Sequence, residues 1–290
     1  MKGYHDLVGD GGSRILEQVA AQQTRIAKNL AGVRHLVAIG SGKGGVGKST
    51  LTLQLASALR ARGGEIAVLD ADFNGPSQAR LAGVRDVLLV PGPERVSLPR
   101  TRSGIGVFSM GTLVPEEEAL DFESVALGES YTWRATREFA LLGEILGSLD
   151  WGRLDFLLVD LPPGAERTFQ YAEFLGRDAA FVLVTIPSDL ARGVVARSVA
   201  SLRKTPNRTL GYIENMSGYF CTDCGTVKPL FSSTEARDLG IPLLGTVPFD
   251  PELAKICDQG IPITERPDAP SARAVEEIAT RIVESLEAPA

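Results

Sequence analysis

The stretch Gly40-Ser41-Gly42-Lys43-Gly44-Gly45-Val46-Gly47-Lys48-Ser49-Thr50 is the part of this chain most plainly built for chemistry. From Gly42 to Ser49 it satisfies G-x-x-x-x-G-K-[ST], a spacing that lets a glycine-rich backbone wrap phosphate oxygens. Successive N–H groups and the start of a helix supply positive potential there. Lys48 is placed for the β and γ phosphates of ATP, and the Ser49 hydroxyl for Mg2+. A glycine turn without a ligand is the bland alternative, yet strand, loop, lysine–hydroxyl pair and helix occur in the required order. Three carboxylates follow. Asp70 and Asp72 close the run EIAVLDAD and Asp160 closes LDFLLVD, at the carboxyl edge where α/β sheets bind ligands. Asp160 fits an aspartate that holds Mg2+ through water. Any one of the three alone reads equally as a turn or capping residue.

Cys221 and Cys224 offer two soft thiolates for one metal ion or one edge of a cluster. Two ligands are half a site. A symmetric dimer brings four together, as a bridging [4Fe-4S] cluster requires. A four-thiolate zinc site across the same dimer, a redox dithiol and two inert thiols stay open, with zinc the serious rival. The pair follows ENMSGYF in a segment that reads as a loop rather than as a βαβ redox context. Cys257, within ELAKICDQ, reads as a small buried residue.

The elements that position these groups are legible from hydrophobic periodicity. Strands are expected at Leu36 to Ile39, Ile66 to Leu69, Val107 to Met110, Phe156 to Val159, Ala180 to Thr185, Leu210 to Ile213 and Leu243 to Val247. Helices are expected at Ser49 to Arg62, Thr136 to Leu149, Leu190 to Lys204, Thr234 to Leu239, Pro251 to Gln259 and Ala272 to Leu286. Their alternation predicts an α/β fold with a doubly wound, mostly parallel sheet and helices on both faces. Residues 1–35 read as an N-terminal helical extension, with a helix over residues 13–31 and Ser13 available as its cap. Residues 36–290 read as a single P-loop ATPase domain carrying the CxxC segment. Val84 to Ser103, with Pro91, Pro93 and Pro99, suits an irregular loop or edge hairpin. Pro115 to Tyr131, rich in Glu, reads as a solvated surface loop.

Composition sets the outer bounds. The 290 residues are 44% hydrophobic and 23% charged, which excludes disorder as the main state. Thirty basic against 36 acidic residues leave a formal charge of −6, so no global basic footprint for nucleic acid or anionic lipid exists. Apolar runs of membrane-spanning length and a secretory leader are both lacking, so no membrane partner and a cytoplasmic location are expected. Three cysteines are too few for a disulfide scaffold and suit a reducing compartment.

Lys43, a second lysine at the start of the phosphate loop, resembles the deviant Walker A class of MinD, ParA and arsenite-pump ATPases. That resemblance implies that Lys43 reaches a homodimer partner's nucleotide and places a cation on developing γ-phosphate charge. It also implies that Asp72 orients the attacking water, while Asp70 sits behind the metal. Asp70-Ala71-Asp72-Phe73-Asn74-Gly75-Pro76-Ser77, Ser109-Met110-Gly111, Trp133-Arg134, Asp160-Leu161-Pro162-Pro163-Gly164, Glu214-Asn215-Met216-Ser217 and Cys221-x-x-Cys224-Gly225 occur in that order. Together they resemble the Mrp/ApbC family of iron-sulfur carrier ATPases from about Leu36 to about Pro262. This resemblance implies that Asn215 contacts adenine, that Pro248 to Asp250 help enclose the base, and that apo iron-sulfur proteins are the clients. The chain departs from the family pattern at Ala165-Glu166-Arg167, where Thr-Gly-Asp is usual, and in a CxxC without Pro. Two other functions fit the same class: a MinD/ParA-like partitioning or positioning ATPase, and an ATP-dependent chaperone for another metal such as zinc or nickel. The C-terminal run RAVEEIATRIVESLEAPA is acidic and argues against membrane docking.

Overall fold

The computed structural model describes residues 15–85, 87, 89–91, 96–113, 131–221, 223–231 and 238–288. In chain order these form α1 (Ile15–Asn29), β1 (Val33–Ser41), α2 (Lys48–Ala61), β2 (Ile66–Asp70), α3 (Gln78–Leu81), β3 (Val90–Pro91) and β4 (Val96–Ser97). Next come β5 (Gly106–Phe108), α4 (Tyr131–Ser148), β6 (Leu154–Asp160), α5 (Ala165–Leu175), β7 (Ala179–Thr185) and α6 (Asp189–Leu202). The chain ends with β8 (Arg208–Cys221), β9 (Thr226–Lys228), β10 (Leu243–Phe249), α7 (Pro251–Asp258) and α8 (Pro270–Glu287).

Seven strands pair in the order β10-β8-β7-β1-β6-β2-β5, all parallel, and β9 adds antiparallel to the far end of β8. Successive residues of a strand face opposite sides, and here both sides are apolar. Val37, Ile39, Val68, Leu158, Val182 and Val184 pack with α2, α7 and α8. Ala38, Leu69, Leu157, Val159, Phe181 and Leu183 pack with α1, α4, α5 and α6. The expected doubly wound α/β sheet is therefore present, and near-continuous hydrophobic strands are its cause. Chain order reverses around β1, which lies between β6 and β7. Ligands of open α/β sheets bind in the crevice at such a reversal.

Helix α1 is tied to the body through α4. The Asn29 amide donates to the carbonyls of Leu146 and Leu149 at 2.7 and 2.8 Å, Arg25 pairs with Glu144, and Ile26 is buried. The apolar face of α8 is spent on the sheet, with Val275, Ile278 and Ile282 at 0%, 1% and 2% exposure. Each such side chain contributes roughly 1.5–3 kcal/mol by leaving water, so that face is committed to the core. No helix among the described residues is long and apolar enough to cross a membrane.

Some expectations differ from the structure. Hydrophobic periodicity predicts no helix over residues 165–175, yet α5 spans them; its inward residues are Thr168, Tyr171 and Ala172, a helical spacing drawn in weakly apolar types. Its start is Gly164 at φ 120°, without a side-chain cap. β8 runs eight residues past Ile213, and β9 closes a hairpin on it. Met110 begins a 3-10 turn instead of ending β5. The Pro-rich stretch does contain a small antiparallel ribbon, β3 with β4. Ser13, residues 115–130 of the acidic segment, and residues 234–237 of an expected helix lie outside the described residues; Asp238 and Leu239 are not helical.

Candidate nucleotide site and thiol hairpin

The phosphate loop bridges Ser41, the last residue of β1, and Lys48, the first of α2. Its shape is imposed by close neighbours. Gly47 has φ 80°, a left-handed conformation that a side chain resists. A Cβ there would stand 2.2 Å from Asn215 Nδ2. That amide belongs to β8 and donates to the Val46 carbonyl at 2.9 Å, so strand β8 braces the loop from outside. At the loop's beginning, the Ser41 hydroxyl donates to the Lys43 carbonyl at 3.0 Å. The Gly164 N–H donates to the Ser41 carbonyl at 2.8 Å, which docks the Pro162-Pro163-Gly164 turn beside the loop.

Lys43, Gly44, Gly45, Val46, Gly47, Lys48, Ser49, Thr50 and Asp72 line one cleft of about 430 Å³, together with Arg80 and Pro163. Gly42 does not line the cleft; it packs against α6, where a Cβ would meet Val194 at 2.6 Å. A smaller cavity of about 170 Å³ opens beyond Gly47 and Thr50, lined by Asn215, Met216, Pro248, Phe249, Asp250 and Cys257. The structure thus brings the expected phosphate residues and the expected base residues into adjoining spaces. Met216 holds φ 53°, an uncommon conformation for a side-chain-bearing residue and one that clusters at binding sites. Asp250 is an internal cap: its carboxylate accepts from the Glu252 N–H at 3.0 Å and from the Ser271 hydroxyl at 2.8 Å. The backbone around it, rather than a free carboxylate, walls the pocket.

Behind the phosphate cleft lies a buried polar cluster. Lys48 pairs with Asp160, whose Oδ1 also accepts from the Thr52 hydroxyl at 3.3 Å and whose Oδ2 accepts from Gln78 Nε2 at 2.9 Å. Asp70 accepts from the N–H groups of Asp72, Ser77 and Gln78 and from the Ser109 hydroxyl. Four donors make Asp70 the organiser of the 70–78 turn. Burial, then the Asp160 charge, push its carboxyl up to about 7 against those hydrogen bonds. Burial also raises Asp72, opposed mainly by Lys48. Carboxylates, the Ser49 hydroxyl and the Lys48 ammonium gathered at one crevice form a donor set that suits a divalent cation with a polyphosphate.

Asp72 is positioned from α5 and α4. The Tyr171 hydroxyl, fully buried, lies 2.8 Å from both the Ala71 carbonyl and Glu138. Arg167 pairs with Glu138 and sits 5.6 Å from the ring centres of Phe139 and Tyr171. This network occupies the segment where Ala165-Glu166-Arg167 departs from the family pattern. Sequence motifs missed Gln78, Arg80 and Tyr171. The first two lie just beyond the quoted Asp70 to Ser77 motif, and Tyr171 could be found only by recognising α5.

Cys221 is the last residue of β8 and Cys224 lies in the turn to β9, not in an open loop. Cys221 pairs across the ladder with Thr226, and the Gly225 N–H donates to the Cys221 carbonyl at 2.8 Å. The turn thereby places a half-buried Cys221 and an exposed Cys224 together at the hairpin tip. Hydrogen bonds from the Thr226 hydroxyl, 3.0 Å from Cys224 Sγ, and from Cys221 bring the Cys224 thiol down to about 7. No group of three or more His, Cys, Asp or Glu able to hold a metal ion exists among the described residues. Cys257 is buried in α7, with Gln54 Nε2 3.0 Å from its sulfur.

Several known proteins are similar to this chain. A ParA-family model described as NUBPL iron-transfer P-loop NTPase matches residues 32–283. An iron-sulfur cluster carrier protein of Saccharolobus solfataricus is 31% identical over 280 residues, covering 94% of this chain and 91% of that one. The cytosolic Fe-S cluster assembly factor NUBP2 of Homo sapiens is 36% identical over 271 residues, covering 90% and 96%. Among solved structures, a nucleotide-binding protein of Archaeoglobus fulgidus in complex with ADP has a TM-score of 0.68 at 31% identity, over 82% of this chain and 90% of that one. MinD of Aquifex aeolicus shares the fold, with a TM-score of 0.58 at 23% identity over 88% and 99%. A phosphate loop on β1, carboxylates on β2 and β6, and a match over residues 32–283 lead to one conclusion: the chain belongs to the NUBPL iron-transfer family of P-loop NTPases.

Proposed function

We propose that this protein is an ATP-dependent iron-sulfur carrier of the cytoplasm. It acts as a homodimer that holds a [4Fe-4S] cluster as cargo between the Cys221 and Cys224 pairs of two subunits and hands it to apo-proteins. One observation carries the reading. Strand β8 is a single element with Asn215 braced against the phosphate loop and Cys221 at its tip. Six positions separate them, and Met216 at φ 53° together with a register shift against β10 bends the strand between them, so the reach is under the roughly 20 Å of a fully extended run and nucleotide and thiols occupy two places on one continuous element. A change of loop shape on nucleotide binding has a direct mechanical route to the thiols.

Within the nucleotide site, Lys48 and the N–H groups of residues 44–50 bind the phosphates, and the Asn215 to Asp250 pocket takes the base. Ser49 and Asp160 hold Mg2+, with Asp70 fixing the turn behind them; when bound, Mg2+ neutralises charge between phosphates. Asp72, held through the Ala71 carbonyl, orients the attacking water. Lys43, half-buried on the cleft rim, serves the partner's nucleotide, so dimerisation gates hydrolysis. At the hairpin, a Cys224 thiol that ionises near neutrality is a ready ligand. Anaerobic reconstitution with iron and sulfide tests the cargo site. Cluster absorption is expected in the parent protein and lost in Cys221→Ala and in Cys224→Ala; an unchanged yield in both variants overturns the assignment.

A further inference from the structure

Gln78 opens α3 and is fully buried. It touches all three groups read as the cation site. Its N–H donates to Asp70 Oδ2 at 3.0 Å, and its Nε2 donates to the Ser49 carbonyl and to Asp160 Oδ2, each at 2.9 Å. Those two contacts fix the amide's orientation, because the flipped form would set an oxygen against a carbonyl and a carboxylate. The remaining atom, Oε1, is buried and has no hydrogen-bond partner among the described residues. Buried acceptors are almost always paired, by protein or by water.

The missing partner must be a donor that belongs in a crevice of carboxylates. The nearby protein donors are already placed: Lys48 and Thr52 are on Asp160 Oδ1, and Ser109 is on Asp70. A hydrated divalent cation brings its own donors, since Mg2+ sheds water reluctantly and keeps several molecules when bound. Groups that hold such waters and orient the ligands typically govern affinity by 10–100-fold. We propose that Gln78 is a positioning residue of the metal site: its Oε1 accepts from a cation-bound water while its Nε2 holds Asp160 toward the cation. The inference rests on the Mg-nucleotide reading of this cleft. Gln78 also anchors the start of α3, whose Arg80 and Leu81 line the cleft.

The test measures metal affinity directly on the full chain. ADP binding is followed by calorimetry in EDTA and across a Mg2+ titration, and Mn2+ in the ADP complex is followed by electron paramagnetic resonance. Gln78→Met keeps length and removes both polar atoms. It is expected to raise the Mg2+ or Mn2+ concentration at half-saturation about 10-fold or more, with ADP affinity in EDTA within about twofold of the parent. Gln78→Glu separates metal holding from scaffold: its carboxylate faces Asp160, so the metal-free protein melts lower, while cation affinity equals or exceeds the parent's. A purely structural role makes Gln78→Glu worse in both respects. Parent-like metal dependence in Gln78→Met, or equal loss of ADP binding in EDTA, overturns the proposal. If Gln78→Met does not fold, the Gln78→Glu comparison decides alone. Parent protein whose ADP binding ignores Mg2+ and Mn2+ refutes the underlying site reading, a result separable from either variant's.

Discussion

Replacing Gly47 by Ala probes the contact between the phosphate loop and β8. The new methyl carries two costs. An L-residue at φ 80° costs about 1–2 kcal/mol. The Cβ also falls 2.2 Å from Asn215 Nδ2, so the amide must withdraw and leave the Val46 carbonyl without its donor, at about 1–3 kcal/mol. Their sum is about 2–5 kcal/mol. In the free protein the loop can relax, and much of the cost then reappears when nucleotide demands the native loop. ADP affinity measured by calorimetry is therefore expected to fall at least about 30-fold, since 1.4 kcal/mol is tenfold. Gly63→Ala is the control: φ is 88°, nothing lies within 4 Å, and the position ends α2 far from the loop. It should lower the melting temperature by a few degrees and leave ADP affinity alone. Gly47→Ala protein that binds ADP within threefold of the parent would refute the bracing of the loop by Asn215.

Other consequences follow from buried charge and from the hairpin. Arg192 and Glu214 form a pair with side-chain exposures of 8% and 10%; Arg192→Leu alone should cost about 3–5 kcal/mol in urea unfolding, and Arg192→Leu with Glu214→Leu markedly less. Because the folded-state Cys224 thiol lies below its ordinary value, at about 7, its thiolate fraction rises through neutrality as pH increases. Alkylation of Cys224 by iodoacetamide, read by mass spectrometry, should reach half its maximal rate near pH 7, and Thr226→Val should move that midpoint upward. Lys48→Ala should abolish nucleotide binding, whereas Lys43→Ala should keep binding and lose turnover; equal turnover in the Lys43 variant contradicts its cross-dimer role.

The sheet was readable because its strands are buried on both faces and carry unbroken Val, Ile and Leu runs, and the phosphate loop because its glycines and lysine have fixed spacing. What escaped was held by tertiary contacts. α5 hides its inward face in Thr168, Tyr171 and Ala172, and follows two prolines. The extension of β8 past Ile213 opens on the polar run Glu214-Asn215-Met216-Ser217, which resembles a loop, and its far end becomes strand by pairing Tyr219, Phe220 and Cys221 with β9. Gln78 has no motif of its own; its role arises because the 70–78 turn, folded around Asp70, delivers its amide to Asp160. Asp250 was legible as a pocket residue but not as a cap, since Ser271 lies twenty-one positions away in sequence.

In the proposed dimer, two copies of the Cys221–Cys224 hairpin share one iron-sulfur cargo. Native mass spectrometry of protein prepared without oxygen tests it most directly, alongside iron, sulfide and zinc analysis. A dimer carrying about four iron and four sulfide per two chains is expected, reduced to metal-free chains by Cys221→Ala or Cys224→Ala. A dimer with one zinc and no sulfide, or a monomer that retains the full cluster, would contradict it.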